Sequence, residues 1–364
     1  MIWRCDLVPQ TEAYKAEILQ AIERVLPTGR YILANECAAF EKEFAAYLGC
    51  NHCVGVANAT DGLTLALRAF DIGEGDEVIT SPYTAIPTGS AIVDAGATPV
   101  FVDVEADTFL ISIERILAAV TPKTKAVMPV HIFGNVVDIP KLRAALPAHI
   151  RIIEDSAQSH GSTLRGVQSG TMADAGVFSF YPTKNLGAIG DGGAVVTNDP
   201  EADKRLRLLR MYGMLDKDTI ITDGINSRLD EIQAAILRAK LPHLDTMNAA
   251  RRRIAARYAA ELPKAFTLQH IPEGVVTNWH VFVTRYHGDR AAFTAHMDAL
   301  KVQTNIYYVT PLHLQRAHAR LGYKPGDLPV VEQLCHGAIA LPFYPEMTDA
   351  THDEVMRAIH AFHA

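Results

Sequence analysis

The sequence predicts an α/β fold: a mostly parallel, seven-stranded sheet covered by helices. Three observations carry that reading. Seven short apolar runs lie between residues 53 and 200. They are near-continuous rather than alternating with polar residues, as strands buried on both faces are. Segments with helical apolar spacing fill several of the gaps between them, the pattern of a sheet wound with helices.

Taken in order, residues 11–26 carry a first helical stripe (Tyr14, Ile18, Ile22, Leu26) and residues 36–48 a second (Phe40, Phe44, Leu48). The strand runs are 54–57, 77–81, 98–102, 126–130, 150–153, 175–180 and 194–197. Helical segments over 60–70, 86–95, 113–120 and 139–146 alternate with them. A basic helix over 201–215 follows, then a long helical stretch over 227–262 broken at Pro242. Strand–helix units over 279–285, 289–300 and 304–308 and a terminal helix near 350–363 complete the chain. The expected division is a large domain over 1–245 and a smaller C-terminal α+β domain over 246–364, with no repeats and no low-complexity linker.

The bulk numbers exclude several classes. The 364 residues suffice for a sizeable core, and 49% hydrophobic with 21% charged is ordinary for a soluble enzyme. The charge balance, 34 − 41 = −7, gives no overall footprint for nucleic acid. No apolar stretch approaches the ~18 residues of a membrane helix, and Met1-Ile-Trp-Arg-Cys-Asp6 is unlike a signal peptide. Five cysteines, an odd count, favour free thiols in a reducing cytoplasm. Cys50-Asn-His-Cys53 lacks a second pair at zinc spacing, so no metal is expected.

Lys184 is the most informative residue. It lies in the Pro/Gly-rich loop Tyr181-Pro-Thr-Lys-Asn-Leu-Gly-Ala-Ile-Gly-Asp191 between two strand runs. A scaffold presents chemistry on such loops, and a lysine there can form a Schiff base. Taken alone it reads more readily as a surface lysine in a hairpin loop. Ile150-Arg-Ile-Ile-Glu-Asp155 is a strand ending in acid, and a carboxylate at the end of a parallel strand faces the ligand crevice. The alternative for Asp155 is a helix N-cap. Asn58-Ala-Thr-Asp-Gly62 joins a strand to a helix, a ready phosphate site; the alternative is capping by Thr60 or Asp61. Ser179 lies five residues before Lys184. An acid for a ring nitrogen, donors for a phosphate and a lysine for an aldehyde are together the anchors of pyridoxal 5′-phosphate.

At this point the sequence resembles the DegT/DnrJ/EryC1/StrS family of sugar aminotransferases, of fold type I, over nearly its whole length. The resemblance rests on Phe40-Glu-Lys-Glu-Phe44, Gly75-Asp-Glu-Val78, Gly96-Ala-Thr-Pro-Val-Phe-Val-Asp103, Glu154-Asp-Ser-Ala-Gln-Ser-His-Gly161, the Lys184 loop, Asn226-Ser-Arg-Leu-Asp-Glu-Ile-Gln233 and Pro311-Leu-His-Leu314. It implies that Lys184 carries the cofactor and that Asp155 pairs with its ring nitrogen. Gln158 would lie near the ring hydroxyl, with Thr60, Ser179 and the amide of Ala59 on the phosphate. Asn226 would reach the phosphate of a neighbouring subunit, making a homodimer with shared active sites; as a residue before a helix, it could instead be a local N-cap. Tyr181, Tyr308 and His313 would face the substrate. Three positions depart from the usual pattern: Ala85 stands where many relatives stack an aromatic, so that either the stacking is missing or Tyr83 compensates; Tyr307-Tyr-Val309 replaces His-Tyr-Pro; and Ile32-Leu-Ala34 replaces Ile-Leu-Gly.

The implied reaction moves an amino group from glutamate, or glutamine, to a nucleotide-linked keto-sugar. Gln158 resembles C-3 and cyclitol aminotransferases, where many C-4 enzymes carry His or Glu. The favoured substrate is a 3-keto-6-deoxyhexose or 3-keto hexuronate; a keto-inositol or a C-4 keto-sugar is the alternative. A dehydratase of the same family has histidine in place of Lys184. A non-catalytic cofactor-binding regulator would want a DNA-binding module, and none is evident.

Overall fold

The computed structural model describes residues 1–363. Helices α1 (Val8–Val25) and α2 (Asn35–Leu48) precede strand β1 (His52–Val56). Then follow α3 (Ala59–Ala69), β2 (Glu77–Thr80), α4 (Ile86–Asp94), β3 (Thr98–Phe101), α5 (Ile113–Ala118), β4 (Thr124–Met128), α6 (Ile139–Ala145) and β5 (Arg151–Asp155). A small hairpin, β6 (Thr163–Leu164) and β7 (Val167–Gln168), leads to β8 (Ala175–Ser179) and β9 (Gly193–Thr197). Helices α7 (Pro200–Leu209), α8 (Glu231–Lys240) and α9 (Leu244–Glu261) lead into the C-terminal part. That part holds β10 (Phe266–Leu268), β11 (Val275–Val276), β12 (Phe282–Tyr286), α10 (Arg290–Ala299), α11 (Pro329–Gly337), β13 (Ala338–Leu341) and α12 (Asp349–His363). The expected boundary near residue 245 falls in the first turn of α9.

All seven expected strand runs meet in one sheet, ordered β1-β9-β8-β5-β4-β2-β3. Only β9 runs against its neighbours. Strand alternation divides the apolar side chains between two cores: Val78, Ala126 and Ile153 join one; Ile79, Val127 and Ile152 join the other. Strands β8 and β9 are buried at every residue. On the C-terminal side, β10-β12-β13 form a separate antiparallel sheet. Among the described residues no helix is long and apolar enough to cross a membrane.

Four expected elements differ. The basic helix expected over 201–215 ends at Leu209. The helix expected from residue 227 begins at Glu231, with Asp230 at its N-cap position. Residues before it are taken by tertiary bonds: the Ser227 hydroxyl accepts the Ala57 N–H at 3.0 Å, and the Ser227 N–H donates to Arg210 O. The run 304–308 makes only one bridge, Asn305 with Ala340, and then turns away. The strand expected over 279–285 starts at Phe282.

Candidate active site

Four chain turns leave the carboxyl ends of β1, β2, β5 and β8 and close around one cleft of about 270 Å³. Its walls include Thr60, Ala85, Asp155, Gln158, Ser179 and Lys184. Ligands of open α/β sheets bind at such strand ends.

The β1–α3 turn is shaped for an anion. Asn58, in extended conformation, caps α3 by accepting the Asp61 N–H at 2.9 Å. Neither Thr60 nor Asp61 is the cap, as the sequence had suggested. The Thr60 hydroxyl is therefore left to the cleft, beside the first amides of α3, where a helix N-terminus favours a phosphate. Strand β9 passes close behind. A Cβ on Gly193 would lie 2.6 Å from the Asn58 carbonyl carbon and 2.8 Å from the Ala59 nitrogen, so only glycine fits. Ser179 brings a second hydroxyl from the end of β8.

Asp155 is 5% exposed. No helix follows it, so the N-cap alternative does not hold; its Oδ1 accepts the Ala157 N–H at 3.1 Å in a turn. Its Oδ2 accepts the Thr88 hydroxyl at 2.7 Å, and Thr88 is bonded to Thr84 at 3.0 Å. Burial pushes its carboxyl above the usual aspartate range, opposed by the Thr88 bond, the Ala157 amide and the Lys184 charge. The preceding Glu154 points to the other side of the strand. There it accepts the Gly170 and Met172 N–H groups and pairs with His131, a structural role.

Gln158 is held at both ends. Its Oε1 accepts the Phe133 N–H at 2.8 Å and its Nε2 donates to the Tyr308 hydroxyl at 3.2 Å. Tyr308 thus meets the site through Gln158. Tyr181 stands at the mouth, 52% exposed. Ala85 lines the cleft, whereas Tyr83 is fully buried and its hydroxyl donates to Tyr307 O. Tyr83 therefore cannot stack in the cleft, which removes the alternative that it compensates for Ala85. His313 is also displaced from its expected role. Its side chain is enclosed and paired with Glu332 at 3.2 Å, away from the cleft lining. Asn226 is exposed in the segment before α8 and is not among the cleft-lining residues of its own chain. Sequence reasoning missed Thr84, Thr88 and Asp191, which also line the cleft. Only the paired hydroxyls at spacing four around a helix start hinted at the two threonines.

Lys184 sits in a loop folded tightly between β8 and β9: Phe180 N–H donates to Gly192 O and Ala188 N–H to Phe180 O. Desolvation lowers its amine from 10.5 to about 8, against the pull of Asp155. If Lys184 captures the cofactor, its neutral amine would be the nucleophile, and capture by apoenzyme should rise with pH and level off above about 8. At pH 7 that leaves about 300-fold more neutral amine than an unperturbed lysine has. Capture rates measured across this range check it; a rate still climbing with hydroxide well above pH 8 would contradict it.

A lysine, a buried carboxylate and a hydroxyl-lined helix N-terminus thus converge at strand ends. The pyridoxal-phosphate anchors fit these residues, and with this sheet they define a fold type I, pyridoxal-phosphate-dependent aminotransferase. Residues 12–360 match the DegT/DnrJ/EryC1/StrS aminotransferase family, and the chain belongs to it. It is 43% identical to a dTDP-3-amino-3,4,6-trideoxy-alpha-D-glucose transaminase of Micromonospora megalomicea subsp. nigra, over 96% of this chain and 95% of that one. A UDP-N-acetyl-3-dehydro-alpha-D-glucosamine 3-aminotransferase of Acidithiobacillus ferrooxidans is 42% identical, over 94% and 93%. Among solved structures, S. venezuelae DesV in complex with a ketimine intermediate superimposes with a TM-score of 0.96 at 41% identity, over 99% of this chain and 98% of that one. The enzyme is a sugar aminotransferase that uses pyridoxal phosphate.

Proposed function

We propose that this enzyme moves an amino group from glutamate to the C-3 carbonyl of a nucleotide-linked keto-sugar. The observation that carries the reading is the convergence of Lys184, Asp155, Thr60 and Ser179 on one cleft. The C-3 position is supported by relatives named for amination at that carbon. When bound, the cofactor supplies an aldehyde for the migrating nitrogen and a ring that accepts electrons. Lys184 would hold it until the donor's amine displaces the lysine; the freed Lys184 Nζ would then take the donor's α-proton as general base and give it back as general acid. Asp155 would keep a positive charge on the ring nitrogen. The Ala59 amide with Thr60 and Ser179 would hold the phosphate, and Gln158 would serve the ring hydroxyl. Tyr181, at the mouth, and Tyr308, behind Gln158, serve the sugar end; His313 does not. Incubation with glutamate and a panel of dTDP- and UDP-linked 3-keto and 4-keto sugars plus a keto-inositol tests the substrate. Amination of a 3-keto nucleotide sugar is expected; turnover only of a 4-keto sugar or the keto-inositol would replace the reading.

We also propose a homodimer with shared sites, each phosphate being reached by Asn226 of the partner subunit. Support comes from the segment just before Asn226, which exposes Leu215, Ile220 and Ile221 at 61%, 66% and 55%. Exposed apolar side chains of this kind suit contact with a second copy of the chain. Mixing Lys184→Ala chains with Asn226→Ala chains yields heterodimers with one doubly defective and one intact site. Activity should rise above either parent. If subunit exchange is verified and no activity returns, Asn226 serves its own chain.

A further inference from the structure

Directly behind Lys184 lies a buried carboxamide network. Asn185 is 2% exposed, Asn248 1% and Asn278 0%. The Asn185 Nδ2 group donates to Asn248 Oδ1 at 2.7 Å and to Asn278 O at 3.1 Å. Its Oδ1 meets His280 Nδ1 at 3.1 Å; because that oxygen can only accept, the imidazole donates. Burial and the nearby Lys184 charge hold the His280 imidazole well below its usual range, so it is neutral at ordinary pH. Asn248 Nδ2 continues to His160 O at 2.9 Å. Asn278 Nδ2 ends on Gln158 O at 3.1 Å and on His160 O at 3.0 Å, and its own N–H donates to Ser162 Oγ at 2.9 Å.

Two parts of the site are joined by these bonds. One end is the residue next to Lys184. The other is the turn after Asp155, which carries Gln158. The middle is α9 (Asn248) and the chain just before β12 (Asn278, His280). The Lys184 loop has no regular secondary structure to set its height. An apolar core would tolerate sliding; directional bonds to the Asn248 carboxamide, the Asn278 main-chain carbonyl and the His280 imidazole fix the register. A lysine that must reach both the cofactor and a substrate carbon has little tolerance, since a misplacement of ~1 Å can cost about 10²-fold.

We infer that Asn185 is a positioning residue: with Asn248 and Asn278 it sets where Lys184 stands relative to Asp155 and Gln158. This rests on the reading of Lys184 as the cofactor-bearing lysine. The bonds also run from the cofactor loop into the C-terminal part, so displacement of that part would be felt at Lys184.

The test compares Asn185→Ala, Asn185→Asp and Asn248→Ala with the wild type, each loaded with pyridoxal phosphate and scored per folded, loaded site. Asp keeps an acceptor toward His280 but loses both donated bonds. Each variant should lose about 10²-fold in kcat with little change in sugar KM. Each should also weaken cofactor capture by apoenzyme and shift the pH midpoint of the bound cofactor's absorbance. The Asn185→Ala, Asn248→Ala double variant should be no worse than the poorer single, as members of one network are non-additive. A merely structural role would lower Tm and the loaded fraction while leaving kcat per site and the absorbance midpoint unchanged, and that result overturns the inference. If Asn185→Ala fails to fold, Asn248→Ala is held to the same criteria. Borohydride reduction and peptide mapping of the wild type keep the two readings apart. An adduct at another lysine defeats the Lys184 assignment, whereas an adduct at Lys184 with unaltered variants defeats the positioning role alone.

Discussion

Lys184→Ala is expected to abolish transamination. Proton transfer by a positioned side chain contributes about 10²–10⁴-fold. In the proposed mechanism the same amine also anchors the cofactor, so both losses would fall on one residue and activity should drop below about 10⁻⁴ of wild type. The fold should survive. The lysine is partly open to the cleft, its loop is pinned through Asn185 and through Lys240 Nζ on Gly187 O, and an uncharged side chain removes a desolvated cation. Borohydride should then trap no protein–cofactor bond. Retention of a reducible bond at another lysine would move the chemistry elsewhere.

Much of this site was legible because its chemistry sits where strands end. The apolar runs of β8 and β9 announce themselves by having almost no polar residue, and β5 sets Ile152 and Ile153 just before its acids. An acid or a lysine just beyond such a run therefore stands out, as Asp155 and Lys184 do. The residues that tune them do not stand out. Thr88 reaches Asp155 across 67 positions of sequence, and a threonine in the first turn of a helix looks ordinary. Position 313 misled for the opposite reason. The motif around it is recognisable, yet the 3₁₀ turn Leu312–Leu314 turns the imidazole inward to Glu332. The start of α8 was misplaced because tertiary bonds override local propensity. Glu231 accepts the N–H groups of Ala34, Glu36 and Cys37 at the start of α2, and Leu229 packs against Gly55 of β1. A helix begun at Ser227 would have broken these contacts. Long-range partners of this kind leave no trace in spacing or composition.

Asp155→Asn is the second large effect, because it separates charge from shape. The asparagine Oδ1 can still accept the Ala157 N–H. Its Nδ2 would face Thr88, now as a donor. Thr88 already shares a hydrogen bond with Thr84 in which either hydroxyl can give the proton. The relay can therefore reverse: Nδ2 donates to Thr88, and Thr88 donates to Thr84. The carboxyl is raised above the ordinary aspartate range, so above that range the folded protein bears a cost for keeping it ionised. Removing the charge relieves that cost, and the Tm of the apoenzyme at neutral pH should be equal or higher. Catalysis should move the other way. Without the carboxylate the ring nitrogen loses the partner that keeps it positive, and kcat should fall by about 10²–10³-fold, the usual size of losing one preorganised electrostatic group. A residue that merely shaped the turn would predict a near-wild-type rate, since Asn supports such turns as well as Asp. A stable, cofactor-loaded variant with an undiminished kcat would therefore remove Asp155 from the mechanism, whereas a stable variant with a crippled kcat assigns it the ring nitrogen.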